Sequence, residues 1–103
     1  MPENIPLTEA VYYILLSLTK PMHGYGIMQN VSHLSAGRVV LAPGTLYGAL
    51  TTMQERKWIE SIPGETNSRR KEYKLTPLGE ATVKNELNRL RELVINGEQI
   101  IEG

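Results

Sequence analysis

Cysteine is absent from the 103-residue sequence, so disulfide bonds and thiolate metal sites are excluded. Long apolar runs are absent as well, because the longest, around residues 14–16, is far too short to span a bilayer. The N-terminus also lacks the basic stretch and apolar core of a secretory signal. We therefore expect a cytoplasmic protein that folds as one compact domain. A chain this short buries only a modest core, so sharing apolar surface with a second copy would stabilise it.

Patterns that would indicate an enzyme are missing. The two histidines, His23 and His33, are ten residues apart, and no carboxylate stands at metal-ligand spacing from them. There is no Ser/His/Asp arrangement and no phosphate-binding loop. The sequence predicts no catalytic residue, no metal site and no bound cofactor.

A net charge of zero initially argues against a nucleic-acid partner. The distribution along the chain indicates the opposite. Residues 20–74 hold eight Lys/Arg against four Glu, a net of +4, whereas residues 1–19 and 75–103 each have a net of −2. The positive charge is thus concentrated in the middle of the chain, which favours DNA binding mildly.

Apolar periodicity predicts four helices. The first covers residues 8–19, with Thr8 as its N-cap, and Pro21 stops it. The second begins near His23, places Ile27, Met28, Val31 and Leu34 inward, and ends at residues 36–37. The third runs from Pro43 to about residue 56, and its residues Leu46, Leu50 and Met53 share one face. The fourth runs from a Thr76 cap and Pro77 to about residue 95, where Asn96 and Gly97 provide a stop, so that residues 98–103 fray.

Short strands are predicted between these helices. Residues 58–62 and 71–75 alternate apolar with polar and form a hairpin, and residues 38–41 are a further candidate strand. Trp58 is expected to fill the junction between the third helix and this hairpin. The fold class is mainly α with a small β-hairpin: a winged helix-turn-helix over residues 1–76 and an added C-terminal dimerisation helix and tail over residues 77–103, together one compact unit.

Four segments carry a family resemblance: residues 22–25, 43–50, 69–73 and 75–79. In this order and spacing the chain resembles the PadR-like transcriptional regulators, in the short subgroup with a single C-terminal helix. The resemblance implies a homodimeric repressor that binds a palindromic operator and is released by a small hydrophobic or aromatic effector. By analogy, the effector would bind in a cleft between the first and last helices at the dimer interface.

Three positions depart from the family pattern. Ala42 stands where members often carry Ser, which weakens the cap of the third helix. Lys57 stands where many have Gly, so we expect Lys57 to adopt a left-handed conformation. Glu72 replaces a residue that is often aromatic in the wing, and it places a negative charge near the DNA.

The predicted DNA contacts lie on three parts of the chain. The third helix exposes hydroxyls and glycines that suit entry into the major groove, and the resemblance places Tyr47 against the DNA backbone. With no Arg, Asn or Gln in its first turns, we expect specificity to depend partly on DNA shape. Tyr25 begins the second helix, whose N-terminus can hold a phosphate, although a packing role is an equal alternative. The complete predicted set is Tyr25, Gly44, Thr45, Tyr47, Gly48, Thr51, Thr52, Arg69, Arg70 and Lys71.

Each contact has a simpler alternative. The face of the third helix can be a plain solvated surface, and the cluster Arg69, Arg70 and Lys71 a solvated turn. At the level of the whole protein, the zero net charge and Glu72 favour a winged-helix module that binds protein instead of DNA. A small-molecule-binding protein on the same scaffold is a third alternative.

The last helix carries the predicted dimerisation surface. Val83, Leu87, Leu90 and Val94 step by four, three and four residues, as in a short helix-packing seam. The alternative is that this stripe packs back onto its own domain. A single helix that trails a complete winged helix favours dimerisation, and a dimer places two recognition helices at half-sites about 34 Å apart.

Overall fold

The N-terminal helix begins at the predicted cap. The computed structural model describes residues 6–63 and 71–103. Helix α1 spans Glu9–Ser17, and the Thr8 hydroxyl accepts a hydrogen bond of 3.1 Å from the backbone N–H of Val11. Ile14, Leu15 and Leu18 are completely buried. Helix α1 therefore forms one wall of the core.

Helix α2 spans Gly24–Leu34 and has an imidazole as its cap. Nδ1 of His23 accepts the backbone N–H of Gly26 at 3.1 Å. Ile27 and Val31 are buried and Met28 partly so, as predicted, but Leu34 was predicted inward and is 43% exposed. Leu34 is the last residue of the helix, where the chain leaves the core.

The segment after α2 is a loop, and the strand predicted at residues 38–41 is not formed. Ala36 and Gly37 end the helix with positive φ angles of 53° and 81°. The backbone N–H of Val39 then donates to the Ser35 hydroxyl at 2.9 Å, so that it is not available for a strand partner. Arg38 forms an ion pair with Glu9, which ties this loop to the start of α1.

Helix α3 spans Pro43–Glu55 and leads directly into the hairpin. Ala42 makes no side-chain cap, in agreement with the sequence expectation. Lys57 has a φ of 63°, so the predicted left-handed conformation is confirmed. The N–H of the next residue, Trp58, donates back to the Met53 carbonyl at 3.0 Å, which closes the helix and turns the chain into the sheet.

The sheet has three antiparallel strands in the order β1-β3-β2. Strands β2, Ile59–Pro63, and β3, Lys71–Leu75, form the predicted hairpin. Strand β1, Met22–His23, was not predicted and pairs with the other side of β3, with Met22 opposite Tyr73. Tyr73 also faces Ser61 on β2, so that this buried tyrosine lies at the centre of the sheet.

Helix α4 spans Pro77–Ile101 and is longer than predicted. Its Thr76 cap is confirmed, because the hydroxyl accepts the Gly79 N–H at 3.0 Å. The predicted stop at Asn96 and Gly97 is wrong, and residues 98–101 are helical. One glycine costs a helix only about 1 kcal/mol, which is too little to end it where Glu98 and Gln99 follow as good helix formers. At 1.5 Å per residue, the helix is about 37 Å long.

The hydrophobic core lies between the first three helices and the sheet. Helix α4 contributes one residue to it, Val83. The remaining core residues come from the winged-helix part: Ile14, Leu15, Leu18, Ile27, Val31, Leu46, Leu50, Met53, Ile59 and Tyr73. The second half of α4 is outside this core, since residues 91–101 are all exposed.

Candidate nucleic-acid interface

Helix α3 separates its residues into a buried stripe and an exposed face. Leu46, Leu50 and Met53 are at most 1% exposed and pack in the core, as predicted. The other predicted DNA contacts of this helix are all exposed: Gly44, Thr45, Tyr47, Gly48, Thr51 and Thr52. We call these six residues the reading face. Its width follows from the narrow stripe that the core requires.

The three threonines of the reading face differ in the hydrogen bonds that they already make. The Thr51 hydroxyl donates to the Tyr47 carbonyl at 2.9 Å, and the Thr52 hydroxyl donates to the Gly48 carbonyl at 3.2 Å. Because these hydroxyl protons are used within the helix, the two side chains offer a methyl group and acceptor lone pairs to a ligand. Thr45 makes no such bond to the described residues, so its hydroxyl can donate to a phosphate oxygen.

The glycines of the reading face are not required by packing. A Cβ built at Gly44 or at Gly48 has no atom within 4 Å. Within a helix, glycine is less stable than alanine by about 0.5–1 kcal/mol, so Gly48 lowers the stability of α3 without relieving any contact in the chain. The absence of a side chain at these positions allows another surface, such as a DNA backbone, to approach the helix more closely.

Two tyrosines flank the beginning of α2. Tyr47 is 48% exposed, and its phenol lies so close to Gly24 that a Cβ there would collide with it. Tyr25 is 56% exposed, so it does not belong to the core. Burial raises the pKa of the neighbouring Tyr73 phenol, and Tyr47 raises it further. Tyr47 therefore lies where α3, the start of α2 and the sheet meet.

The hairpin that follows α3 carries charged residues on both of its strands. Lys71 is exposed and faces Pro63, whereas Glu72 is half-buried between Ile62 on β2 and His23 on β1. Lys74 and Glu60 form a cross-strand ion pair of 3.4 Å. The predicted contacts Arg69 and Arg70 lie outside the described residues, so their role stays a prediction.

The predicted dimerisation seam divides into a buried and an exposed part. Val83 is 9% exposed and packs in the core of its own chain, which is what the alternative expected of the whole stripe. Leu87 is 37% exposed, Leu90 is half-buried and Val94 is 57% exposed. Together with Arg91 and Ile95 they line an open apolar depression of about 350 Å³. Apolar exposure continues along the helix at Leu93, Ile95, Ile100 and Ile101.

Glu86 was not singled out in the sequence. Its side chain is 4% exposed, and it accepts the backbone N–H of Leu7 at 3.1 Å and two Arg89 N–H groups at 2.7 Å. The Arg89 guanidinium, helped by the Leu7 N–H, holds the pKa of this carboxyl below its ordinary value against the effect of burial. The i,i+3 spacing of Glu86 and Arg89 was the available signal, but it does not indicate burial.

Trp58 lies at the junction of α3 and the hairpin, as predicted. The Arg56 guanidinium carbon is 5.2 Å from the centroid of its indole ring. The ring forms one side of a cleft of about 280 Å³, which we call the Trp58 cleft. The cleft is lined by Pro6, Leu7, Thr8, Val11, Ala49, Thr52, Met53, Arg56 and Trp58.

Other kinds of site have no counterpart in the described ranges 6–63 and 71–103. No three His, Asp or Glu residues there are grouped in a way that could hold a metal ion. In the same ranges, no helix is long and apolar enough to cross a membrane.

The fold and the reading face define a class of protein. An antiparallel hairpin follows a helix whose exposed face is polar and sterically open, and a second helix begins beside it, as in winged-helix DNA-binding proteins. A sequence profile described as the Transcriptional regulator PadR-like family matches residues 13–85. The chain belongs to this family.

Solved structures of other regulators have the same fold. A transcriptional regulator from Clostridium thermocellum superposes with a TM-score of 0.69 at 28% identity, over 85% of this chain and 89% of that one. A PadR-like transcription factor from Bacteroides fragilis gives a TM-score of 0.68 at 27% identity, over 88% and 87% of the two chains.

A relative of known sequence is much longer. The chain is 33% identical over 73 residues to an uncharacterized 37.1 kDa protein in transposon TN4556 of Streptomyces fradiae. This match takes in 71% of the present chain and 20% of that protein, so the chain spans about a fifth of its relative's length.

Proposed function

We propose that the protein is a cytoplasmic homodimeric repressor that binds a palindromic operator and is released by a small hydrophobic or aromatic compound. The observation that carries this proposal is the reading face of α3. Its six residues are exposed, two of them are glycines with no atom near the absent side chain, and Lys71 stands on the adjacent hairpin. In this proposal the protein acts by occupying DNA and not by catalysis.

The contacts on the reading face have distinct roles in this proposal. Thr45 donates to a phosphate, while Thr51 and Thr52 present methyl groups that suit contact with thymine. Tyr25 and Tyr47 contact the backbone beside the start of α2, where free N–H groups favour a phosphate. Arg69, Arg70 and Lys71 hold the adjacent strand from the wing.

Helix α4 supports the homodimer through its apolar surface. An antiparallel pair of α4 helices related by a two-fold axis presents the same apolar seam from each chain. The exposed Leu87 and Val94 would be buried between them.

The test of DNA binding is fluorescence anisotropy with duplex DNA from the region upstream of the protein's own coding sequence, titrated across salt. We expect affinity that falls steeply with salt and exceeds that for a scrambled duplex. Arg69→Ala combined with Arg70→Ala should reduce the slope of log K against log salt by about two, one for each lost phosphate contact. Lys84→Ala on α4, 71% exposed, is the control and should leave the slope unchanged.

The dimer is tested by Leu87→Glu and light scattering. A charge at the seam has no partner when buried, so we expect this variant to be monomeric and to bind the palindrome more weakly. Leu78→Glu is the matched control, because Leu78 is an exposed leucine of the same helix outside the seam. A Leu87→Glu protein that stays dimeric would place the interface elsewhere.

The second candidate function is a winged-helix module that binds protein. The zero net charge and the half-buried Glu72 in the wing favour it. This candidate would be supported over the repressor if the protein does not bind duplex DNA, or if its binding depends on neither salt nor sequence.

A further inference from the structure

Gly24, the first residue of α2, leaves space that a side chain from another helix occupies. A Cβ built there would lie 2.9 Å from Cζ of Tyr47 and closer still to the phenol oxygen. The φ angle of Gly24 is not positive, so the backbone conformation does not require glycine at this position. The glycines of the reading face differ, because nothing lies within 4 Å of a Cβ built at Gly44 or Gly48. Gly24 therefore provides room for one particular side chain, that of Tyr47.

This contact determines where the Tyr47 phenol lies. Tyr47 belongs to the reading face of α3 and its side chain is half-exposed, yet its ring lies against the first residue of α2. The Tyr73 phenol of β3 is close enough for Tyr47 to raise its pKa. Two neighbours on different elements thus limit the position of the Tyr47 phenol on its inner side, while its outer side is open to another molecule.

A methyl group at position 24 would move this phenol more readily than it would unfold the chain. The three nearest atoms that it meets all belong to the Tyr47 ring, at the free end of a side chain that can rotate toward solvent. At Gly79, by contrast, an added methyl group meets the backbone carbonyl of Trp58. Position 24 therefore controls the location of the phenol with little effect on the stability of the fold.

We propose that Gly24 is a positioning residue for DNA binding. Because it lacks a side chain, the Tyr47 phenol can lie against the start of α2, where a helix dipole favours a phosphate and the hydroxyl can donate to it. A larger residue at position 24 turns the phenol outward, into the space that the phosphate would occupy. Gly24 itself is buried and contacts no ligand. The role rests on the proposed function, since it acts through the contact of Tyr47 with DNA.

The experiment is a double-mutant cycle on the full chain with Gly24→Ala and Tyr47→Ala, measured by fluorescence anisotropy on the duplex that the wild-type protein binds most tightly. We expect Gly24→Ala to weaken binding about tenfold, the effect of losing one hydrogen bond to a charged group. In the Tyr47→Ala protein the same change should have no further effect, because the new methyl group has no phenol to displace. The urea midpoint of unfolding should be nearly the same for the wild-type and Gly24→Ala proteins.

Gly26→Ala is the matched control, because it adds a methyl group to the same helix two residues later, where the nearest atom belongs to Met22 and not to Tyr47. Its effect on DNA affinity should be the same with and without Tyr47→Ala. NMR tests the geometry in the absence of DNA. We expect nuclear Overhauser contacts between the Gly24 Hα protons and the Tyr47 ring in the wild-type protein, and shifted Tyr47 ring resonances in Gly24→Ala.

Four results would overturn the positioning role. They are equal DNA affinity of the wild-type and Gly24→Ala proteins, a loss of affinity that persists in the Tyr47→Ala background, a large fall in the urea midpoint of Gly24→Ala, and no Overhauser contact between Gly24 and the Tyr47 ring. If the wild-type and Gly24→Ala proteins bind the duplex equally well, this inference fails and the repressor stands. If the wild-type protein binds no duplex, the proposed function fails and the positioning role fails with it.

Discussion

Helices α3 and α4 have similar sequence features, but these features make different contacts in the structure. Both begin with proline at the first helical position, and both carry an apolar stripe and two glycines. The stripe of α3 is wholly buried in its own chain, and its glycines meet nothing. In α4 the stripe is buried only at Val83, and one glycine, Gly79, lies against the Trp58 carbonyl group. In α3 the open space at the glycines lies on the exposed face, whereas in α4 Gly79 lets the helix pack against the carbonyl group of Trp58.

The N-terminal caps also differ between the two helices, and again α4 is held more firmly than α3. Thr76 caps α4 and also donates to the Lys57 carbonyl at 2.6 Å, so that one side chain joins α4 to the end of α3. Ala42 gives α3 no side-chain cap. The missing cap, Gly48 within the helix and the left-handed Lys57 after it all lower the stability of α3. By its local composition, α3 is therefore less stable than α4.

The largest effect on the free energy of unfolding is expected when a glycine of each helix is replaced by alanine. Gly79→Ala forces a methyl group into the backbone carbonyl of Trp58 and should lower the free energy of unfolding by about 3 kcal/mol. Gly48→Ala should raise it by about 0.5–1 kcal/mol, because no atom opposes the new side chain. Urea denaturation followed by circular dichroism measures both. Equal signs for the two variants would contradict the comparison.

A smaller effect is expected from Glu86, which joins α4 to the segment before α1. Its folded pKa is lowered, so its contribution is fully present above the ordinary value of 4.5 and is lost as the pH falls through the folded pKa. Glu86→Gln should lower the free energy of unfolding at neutral pH by about 1–2 kcal/mol and flatten its dependence on pH below 4.5.

The measurement is a set of urea titrations between pH 3 and 7, the range that brackets the ordinary carboxyl pKa. Glu80→Gln is the control, because Glu80 is an exposed residue of the same helix in a surface ion pair with Lys84. If the Glu86→Gln and wild-type curves run parallel across this range, the buried carboxylate does not stabilise the fold in its charged form.

The smallest effects are expected at the two caps. Thr76→Ala should cost about 1 kcal/mol, and Ala42→Ser should add about 0.5 kcal/mol by supplying the missing cap of α3. Hydrogen exchange resolves the two helices separately, and it should show faster exchange in α4 for the first variant and slower exchange in α3 for the second. An Ala42→Ser protein with unchanged exchange would mean that the start of α3 is limited by something other than its cap.

Most of the fold could be predicted because it depends on local signals. Thr8 and Thr76 cap helices, Leu46, Leu50 and Met53 mark the buried side of α3, and both strands of the hairpin show alternation. The exposure of the reading face followed from that stripe. These features are set by residues a few positions apart, which a sequence displays directly.

The remaining features depend on contacts between distant residues. Strand β1 has two residues, too few to show a period, and it exists because β3 has an unpaired side. The burial of Glu86 depends on Leu7, 79 residues away. Residues 38–41 have the composition of a strand, yet Ser35 binds their backbone. The pair Asn96 and Gly97 is typical of a helix end, but the helix continues through both residues.

The free end of α4 has a mechanical consequence. Residues 91–101 extend by about 16 Å beyond the part of the helix that touches the domain. Whatever holds that end, a tilt of about 10° at the base displaces it by about 3 Å relative to α3, close to the 3.4 Å step between successive base pairs. A disturbance too small to alter any contact in the core can therefore move the end of α4 by several ångströms relative to α3.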